Sequence, residues 1–189
     1  MAKPPSSPTA FYEALGLGIV QWSRVEDAMC DLFIRLTICG LTGRGMGLGR
    51  DKEQASSEGV FLLGNIFYGT TNFRGRLEML DNMMKKLVTD DTLLADWNAI
   101  KNKSGKLYQR RNVLAHGAAW AGDNCDPELM TYSVFSNQNQ QMDYQQITEV
   151  TPSFYNYAEK ITQLAITVNK HLAGRKRFPQ DLSDEEIIN

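Results

Sequence analysis

Histidine is nearly missing from this chain, with only His116 and His171 among 189 residues. They stand far apart, with no HExxH or CxxC pattern beside them, so they do not compose a zinc set. No metal or other cofactor is expected. The three cysteines, Cys30, Cys39 and Cys125, are odd in number and form no CxxC pair. They read as buried or free thiols in a reducing cytosol. Long hydrophobic runs are missing too: none approaches the roughly 20 residues that span a bilayer. The opening MAKPPSSPTA also lacks the apolar stretch of a secretion signal. The expectation is a soluble, cytoplasmic protein with no membrane partner. An excess of charge of one sign is missing as well, with 20 Lys and Arg against 22 Asp and Glu. A net charge of −2 argues against bulk electrostatic binding to nucleic acid and leaves room for a small local basic site. No GxSxG elbow gives a serine triad its context.

What is present is helical periodicity, in a length that suits one domain with a real core. Residues 1–8 are rich in Pro and Ser and read as a disordered N-terminus, and 9–173 as the domain. Phe11, Leu15, Ile19, Trp22, Met29, Phe33 and Leu36 recur at helical spacing and form one apolar stripe. The position that completes its seven-residue gap is Glu26. A carboxylate there either finds a partner or a proton, or sits at a helix edge where it reaches water. Residues 40–50 carry five glycines and read as a loop; they match neither GxxxxGK[ST] nor GxGxxG. Apolar spacing resumes over 53–88, as one bent helix or two, with Gly69-Thr70-Thr71 as the break. Asn72, Arg74 and Arg76 give its second part a polar and basic flank. These arginines read first as a solvated face and second as RNA contacts. Met79, Met83 and Met84 read as core filler.

Thr89-Asp90-Asp91 supplies caps for a further helix. Its stripe is Leu93, Trp97, Ile100, Ser104, Leu107, Arg111, Leu114, in steps of three or four. Arg111 therefore falls on the apolar face. Two ionisable residues of opposite sign, one in each of two stripes, suggest a buried Glu26–Arg111 pair if these helices pack together. Such a pair is weak grounds for stability and better grounds for holding a functional group. The helix signal stops at Gly117, a residue suited to the left-handed position beyond a C-terminus.

Past Gly117 the period shortens. Ala118–Trp120 and Leu129–Phe135 read as short strands, with Met142–Ile147 as a returning strand. The expected element is a small hairpin or three-stranded appendage within 118–148. Thr151-Pro152-Ser153 then opens a last helix with Phe154, Tyr157, Ile161, Leu164, Val168 and Leu172 inward. His171 reads as a surface residue near its end. The tail, 174–189, begins GRKRF, ends acidic and reads as flexible. The fold expected is mainly α: an antiparallel bundle of four to five helices with a small β-hairpin appendage after the fourth.

The chemistry gathers at Arg110-Arg111-Asn112-Val113-Leu114-Ala115-His116-Gly117. A histidine can serve as general acid or base, an arginine can stabilise an anionic phosphoryl transition state, and an asparagine can orient a ring or phosphate. Together they suit metal-independent attack of an RNA 2′-hydroxyl on its own phosphate. From spacing alone, Arg111 and His116 read more simply as residues that cap and pin a helix end. Five residues apart, they are about 140° apart on a straight helix. Convergence needs a bend, the reach of Arg, or a second subunit.

Arg111-Asn112-Val113-Leu114-Ala115-His116 resembles the RNxxxH form of the Arg-(four to six residues)-His motif of HEPN domains, with Gly117 and Trp120 also fitting. Gln21-Trp22-Ser23-Arg24-Val25-Glu26 is similar to the WxxxE-like first helix of such proteins, and Asn72-Phe73-Arg74-Gly75-Arg76-Leu77 to their middle helix. The resemblance covers most of residues 10–173. It implies a helical bundle, commonly a homodimer, whose two motifs face each other across the interface. Many members are metal-independent endoribonucleases of toxin, antiviral or RNA-processing systems, while others have lost activity and serve as binding modules. By match, Arg111 and His116 would be the catalytic pair, Asn112 a polar helper, and Glu26 a residue holding Arg111. Arg110, Arg74 and Arg76 would be candidate RNA contacts. The implied partners are RNA, a second copy of the chain, and an antitoxin or regulatory protein.

Overall fold

The computed structural model describes residues 8–42, 57–70, 72–120, 128–131 and 140–173. Residues 43–50 of the glycine-rich stretch, Cys125, residues 1–7 and the tail at 174–189 lie outside the described residues, while Pro8, expected in the N-terminal tail, and residues 40–42 belong to the first helix. Five helices follow in order: α1 (Pro8–Thr42), α2 (Ser57–Gly69), α3 (Phe73–Leu87), α4 (Asp91–His116) and α5 (Tyr144–Ala173). Between α4 and α5 lies an antiparallel sheet of three short strands, β1 (Ala118–Trp120), β2 (Glu128–Thr131) and β3 (Gln140–Met142), with β2 in the middle. In register, Ala118 faces Met130 and Leu129 faces Met142. This is the expected mainly helical bundle with a β appendage.

The helices alternate in direction. Trp22 and Gly18 of α1 meet Tyr108 and Leu114 of α4, so those two run antiparallel. Phe73 against Tyr108 and Asp81 against Trp97 show the same for α3 and α4. First and last helices then lie side by side in parallel: Trp22 packs on Phe154, and the Cys39 thiol donates to Asn169 Oδ1 at 3.2 Å. Gly18 allows that closure. A Cβ there would stand 3.0 Å from a Leu114 methyl and 3.4 Å from the Thr151 hydroxyl, so a bare backbone lets three helices meet.

Local chemistry fixes the helix ends. Gly69 closes α2, and α3 opens on Asn72, whose side chain accepts from Gly75 N at 2.7 Å. The stretch is thus two helices. Asp90 caps α4 by accepting from Thr92 N and Leu93 N. The last helix starts earlier than its Thr-Pro-Ser suggests. Asp143 accepts from Gln146 N at 2.8 Å while Gln146 accepts from Asp143 N at 3.0 Å, a reciprocal capping box. The returning strand accordingly ends at Met142, and Pro152 lies inside α5 on an exposed position. The hydroxyls of Thr148, Thr151 and Ser153 donate to the carbonyls of Gln145, Ile147 and Glu149 around it. Proline has no N–H to donate to the Thr148 carbonyl four residues earlier, and the exposed position of both residues leaves that carbonyl open to solvent.

Gly117 is not left-handed: φ is −69° and ψ 137°, and its N–H returns to Val113 O at 2.8 Å. Space, not dihedral freedom, selects glycine. A Cβ would lie 2.5 Å from Val113 O.

The core agrees with the stripes for Phe11, Trp22, Met29, Phe33 and Leu36 of α1 and for all six inward residues named for α5. Met84 is buried, with Met79 and Met83 packed against the core. Cys30 and Cys39 are buried; burial and the carboxylates of Asp27 and Asp31 push the Cys30 thiol up to about 11. Asp81 is buried too and accepts from Trp97 Nε1, Lys85 and Lys101 at 3.0, 2.8 and 2.6 Å. Two expectations fail. Ile19 is 44 % exposed, at the small cavity it lines with Arg111, Leu114 and Ala115 of α4. His171 is half-buried, and its Nε2 is buried without a hydrogen-bond partner among the described residues. No helix among them is long and apolar enough to cross a membrane.

Candidate functional site

The floor of the site is aromatic. Trp22 is 2 % exposed and packs against Phe73, Tyr108 and Phe154, at 5.2, 6.1 and 5.1 Å between ring centroids. Phe73 and Tyr108 stack at 4.6 Å. One indole from α1 therefore ties together α3, α4 and α5. One helical turn beyond Trp22 comes Glu26, and one turn beyond Tyr108 comes Arg111. Both line a small cavity of about 50 Å³ with Ile19, Ser23, Leu114 and Ala115. The cavity is small but large enough to admit water.

Arg111 is half-buried, as its place on the stripe requires. Its guanidinium does not pair with Glu26. The Glu26 carboxylate instead binds Arg76, Oε1 to Nη1 at 3.0 Å, with both side chains largely shielded from water. Arg76 Nε and Nη2 donate to the carbonyls of Thr70 and Tyr68 at 3.2 and 3.4 Å. Its guanidinium also lies over the rings of Phe67 and Tyr68. Every nitrogen of Arg76 is thus engaged, which removes it from the solvated face and from the candidate RNA contacts. The signal was in the sequence: Arg76 stands three after Phe73 and four before Leu80, both buried, so it belongs to the apolar stripe of α3.

Among the described residues Arg111 makes no ion pair. Its Nη1 donates to the neighbouring Asn112 Oδ1 at 3.3 Å. Asn112, which shares a helix face with His116, is thereby turned to the arginine. His116 ends α4 and is exposed. Since α4 is helical through His116, its end is not distorted, and a bend does not bring Arg111 and His116 together. Arg110 is exposed on the same turn. Arg74 is exposed as well, pairing with Glu78 at 3.1 Å.

Sequence reasoning missed a second concavity. Between α1 and α5 runs an open trough of about 310 Å³, where Arg24, Asp27 and Asp31 face Tyr155, Glu159 and Thr162. Arg24 lies over the Tyr155 ring at 5.8 Å, Asp27 accepts from the Tyr68 hydroxyl at 2.7 Å, and Asp31 pairs with Arg35. The i, i+3, i+7 spacing of Arg24, Asp27 and Asp31 marks one helix face, yet only packing shows that α5 adds a carboxylate opposite. No group of three His, Cys, Asp or Glu among the described residues is placed to hold a metal ion. Compared with known proteins, the chain matches no family model, no curated protein and no solved structure.

Proposed function

We propose that this chain is a metal-independent endoribonuclease of the HEPN type, acting as a homodimer on single-stranded or looped RNA in the cytoplasm, in a defence or toxin-like role. One observation carries the reading: Arg111 is a half-buried arginine with no carboxylate partner among the described residues, lining a small cavity between α1 and α4. A permanent cation placed this way has its charge available to an anion, and guanidinium geometry matches a phosphate bidentately. In the reaction, the RNA 2′-oxygen attacks the adjacent phosphorus and the bond to the 5′-oxygen breaks. The 2′-hydroxyl proton goes to a base, and the leaving 5′-oxygen takes a proton from an acid. The products are a 2′,3′-cyclic phosphate and a 5′-hydroxyl. His116 is the proton-transfer group and Arg111 stabilises charge on the phosphorane. Two proton transfers are needed, and two copies of the chain supply two His116 side chains.

The test is incubation of purified protein with mixed RNA in EDTA, beside Arg111→Ala and His116→Ala. The reading expects cyclic-phosphate ends from the wild type and at least a 100-fold loss in each variant, within the usual range for general acid–base and electrostatic groups. Equal cleavage by all three proteins, or none by the wild type, would overturn it. A catalytically inactive dimeric binding or regulatory module is the second reading, favoured by the acidic trough, which suits a basic protein segment such as a regulatory partner or antitoxin better than RNA. It expects binding that survives His116→Ala without any turnover.

A further inference from the structure

We infer that the solvent face of α4 is a track for the phosphate backbone of single-stranded RNA, on which Lys103, Lys106 and Arg110 hold the strand ahead of Arg111 and His116. The chain is acidic overall, yet residues 97–122 carry five lysines and arginines and no aspartate or glutamate. Lys101 is turned to the core edge, where it pairs with Asp81. Lys103, Lys106 and Arg110 are exposed and make no ion pair among the described residues. At steps of three and four residues they fall within about 60° of one another on the helix, as one continuous ridge. Alongside it, Asn102, Gln109 and His116 are exposed as well and stand seven apart, in one line that leads to the histidine.

A merely solvated helix face ordinarily mixes its charges. Elsewhere in this fold that rule is followed: Arg35, Arg74 and Lys85 each meet a carboxylate one turn away on their own helix. On α4 the positions one turn from the ridge are Ala99, Asn102, Leu107, Leu114 or the ridge itself. Like charges three and four apart destabilise a helix. Lys103 with Lys106, and Lys106 with Arg110, are such pairs, so the ridge is held against a repulsion that a bound polyanion relieves.

The chemistry of the face selects the occupant. None of the large apolar side chains exposed among the described residues lies on α4. A membrane-surface helix needs such residues on its buried side, and a protein partner needs an apolar or aromatic anchor near the centre of its footprint. A phosphate backbone needs only spaced cations and hydrogen-bond donors, and Asn102 and Gln109 supply the donors. Along the helix axis the three cations are about 4.5 and 6 Å apart, at a rise of 1.5 Å per residue, which suits neighbouring phosphates of an extended strand. From Lys103 to His116 the face runs about 20 Å, so a strand lying on it meets the cations and the histidine in one path. That the polyanion is RNA rests on the nuclease reading; that this face takes a polyanion does not.

Fluorescence anisotropy of the full chain in EDTA tests this, with a labelled oligouridylate of about 12 nucleotides and its deoxy counterpart as probes. The deoxy strand lacks the 2′-hydroxyl, so the proposed reaction does not cut it and it reports binding alone. Lys103→Gln/Lys106→Gln is compared with Lys86→Gln/Lys170→Gln, which removes the same charge from exposed positions on other helices. Arg110→Gln is a second, single variant of the ridge, and circular dichroism checks each fold. The ridge double is expected to bind both strands at least 10-fold more weakly at low salt. It should also flatten the slope of log affinity against log salt by about 1.4, for two phosphates at about 0.7 each, and Arg110→Gln by about 0.7. The control double should stay within about 2-fold of the wild type. No binding by the wild type, equal weakening by the control double, or displacement by polyglutamate as effective as by unlabelled oligouridylate overturns the track. Cleavage kinetics on the same proteins separate the two ideas. Deoxy-strand binding that depends on the ridge, without RNA cleavage by the wild type, sinks the nuclease reading alone. Cleavage that both ridge variants retain with unchanged KM sinks the track alone.

Discussion

Glu26 of α1 and Arg76 of α3 meet at 3.0 Å across the edge of the core, fifty residues apart in sequence and both largely shielded from water. This bond closes the wall beside Arg111 and leaves that arginine without a carboxylate. The pairing that would have neutralised Arg111 is taken by another arginine, so α4 presents a positive charge to a small cavity.

Removing Arg76 should therefore damage the fold. Arg76→Ala strands a half-buried carboxylate and two backbone carbonyls, and should cost about 1–3 kcal/mol. Urea unfolding measures this; a change below about 0.5 kcal/mol would show that water replaces the guanidinium freely. Any loss of RNA cleavage in Arg76→Ala should track the unfolded fraction.

Asp81 should make the fold acid-sensitive in a defined window. Burial alone would raise its carboxyl pKa, but the donors Lys101, Lys85 and Trp97 outweigh burial and hold it at about 2, against an ordinary 3.8. A depressed folded-state pKa contributes stability that is complete above the unfolded value and lost as pH falls through the folded one. The contribution, about 2 kcal/mol by linkage, should thus fade between pH 4 and 2. Asp81→Asn should be less stable at pH 7 and lose this part of the pH dependence. Unfolding curves that stay parallel for wild type and variant across that window would contradict the assignment.

Gly117→Ala should cost about 1–3 kcal/mol, although its dihedrals are open to any residue. The added methyl would meet Val113 O at 2.5 Å and Leu129 at 3.2 Å, where α4 turns into β1. A melting temperature within a degree of the wild type would mean that the junction shifts easily.

Asn112→Ala should separate positioning from stability. Its amide oxygen holds Arg111 Nη1 at 3.3 Å. On the nuclease reading, the loss should lower kcat about 10-fold with KM for RNA nearly unchanged, and unfolding free energy should move by less than about 0.5 kcal/mol. Equal falls in stability and activity would make Asn112 structural.

The sequence by itself determined the helical stripes, the cap at Asp90 and most of the core, because each follows from spacing and local hydrogen bonding within a few residues; it left the stretch around Gly69 as one bent helix or two, which the Asn72 cap resolves. It also placed Glu26 and Arg111 on inward stripes, since period is a local property. Tertiary structure alone decided whom those charges meet. Two arginines stood at inward positions, Arg76 and Arg111, and only the packing of α3 against α1 shows that Glu26 goes to the first. The early start of α5 was written in Asp143 and Gln146 and masked by a proline that α5 tolerates on its wet face. Which half of α1 its own chain leaves bare was not legible at all. An apolar residue such as Ile19 reads as core in any periodic pattern, and only the three-dimensional arrangement of the helices shows that it lines a cavity at the surface and stays 44 % exposed.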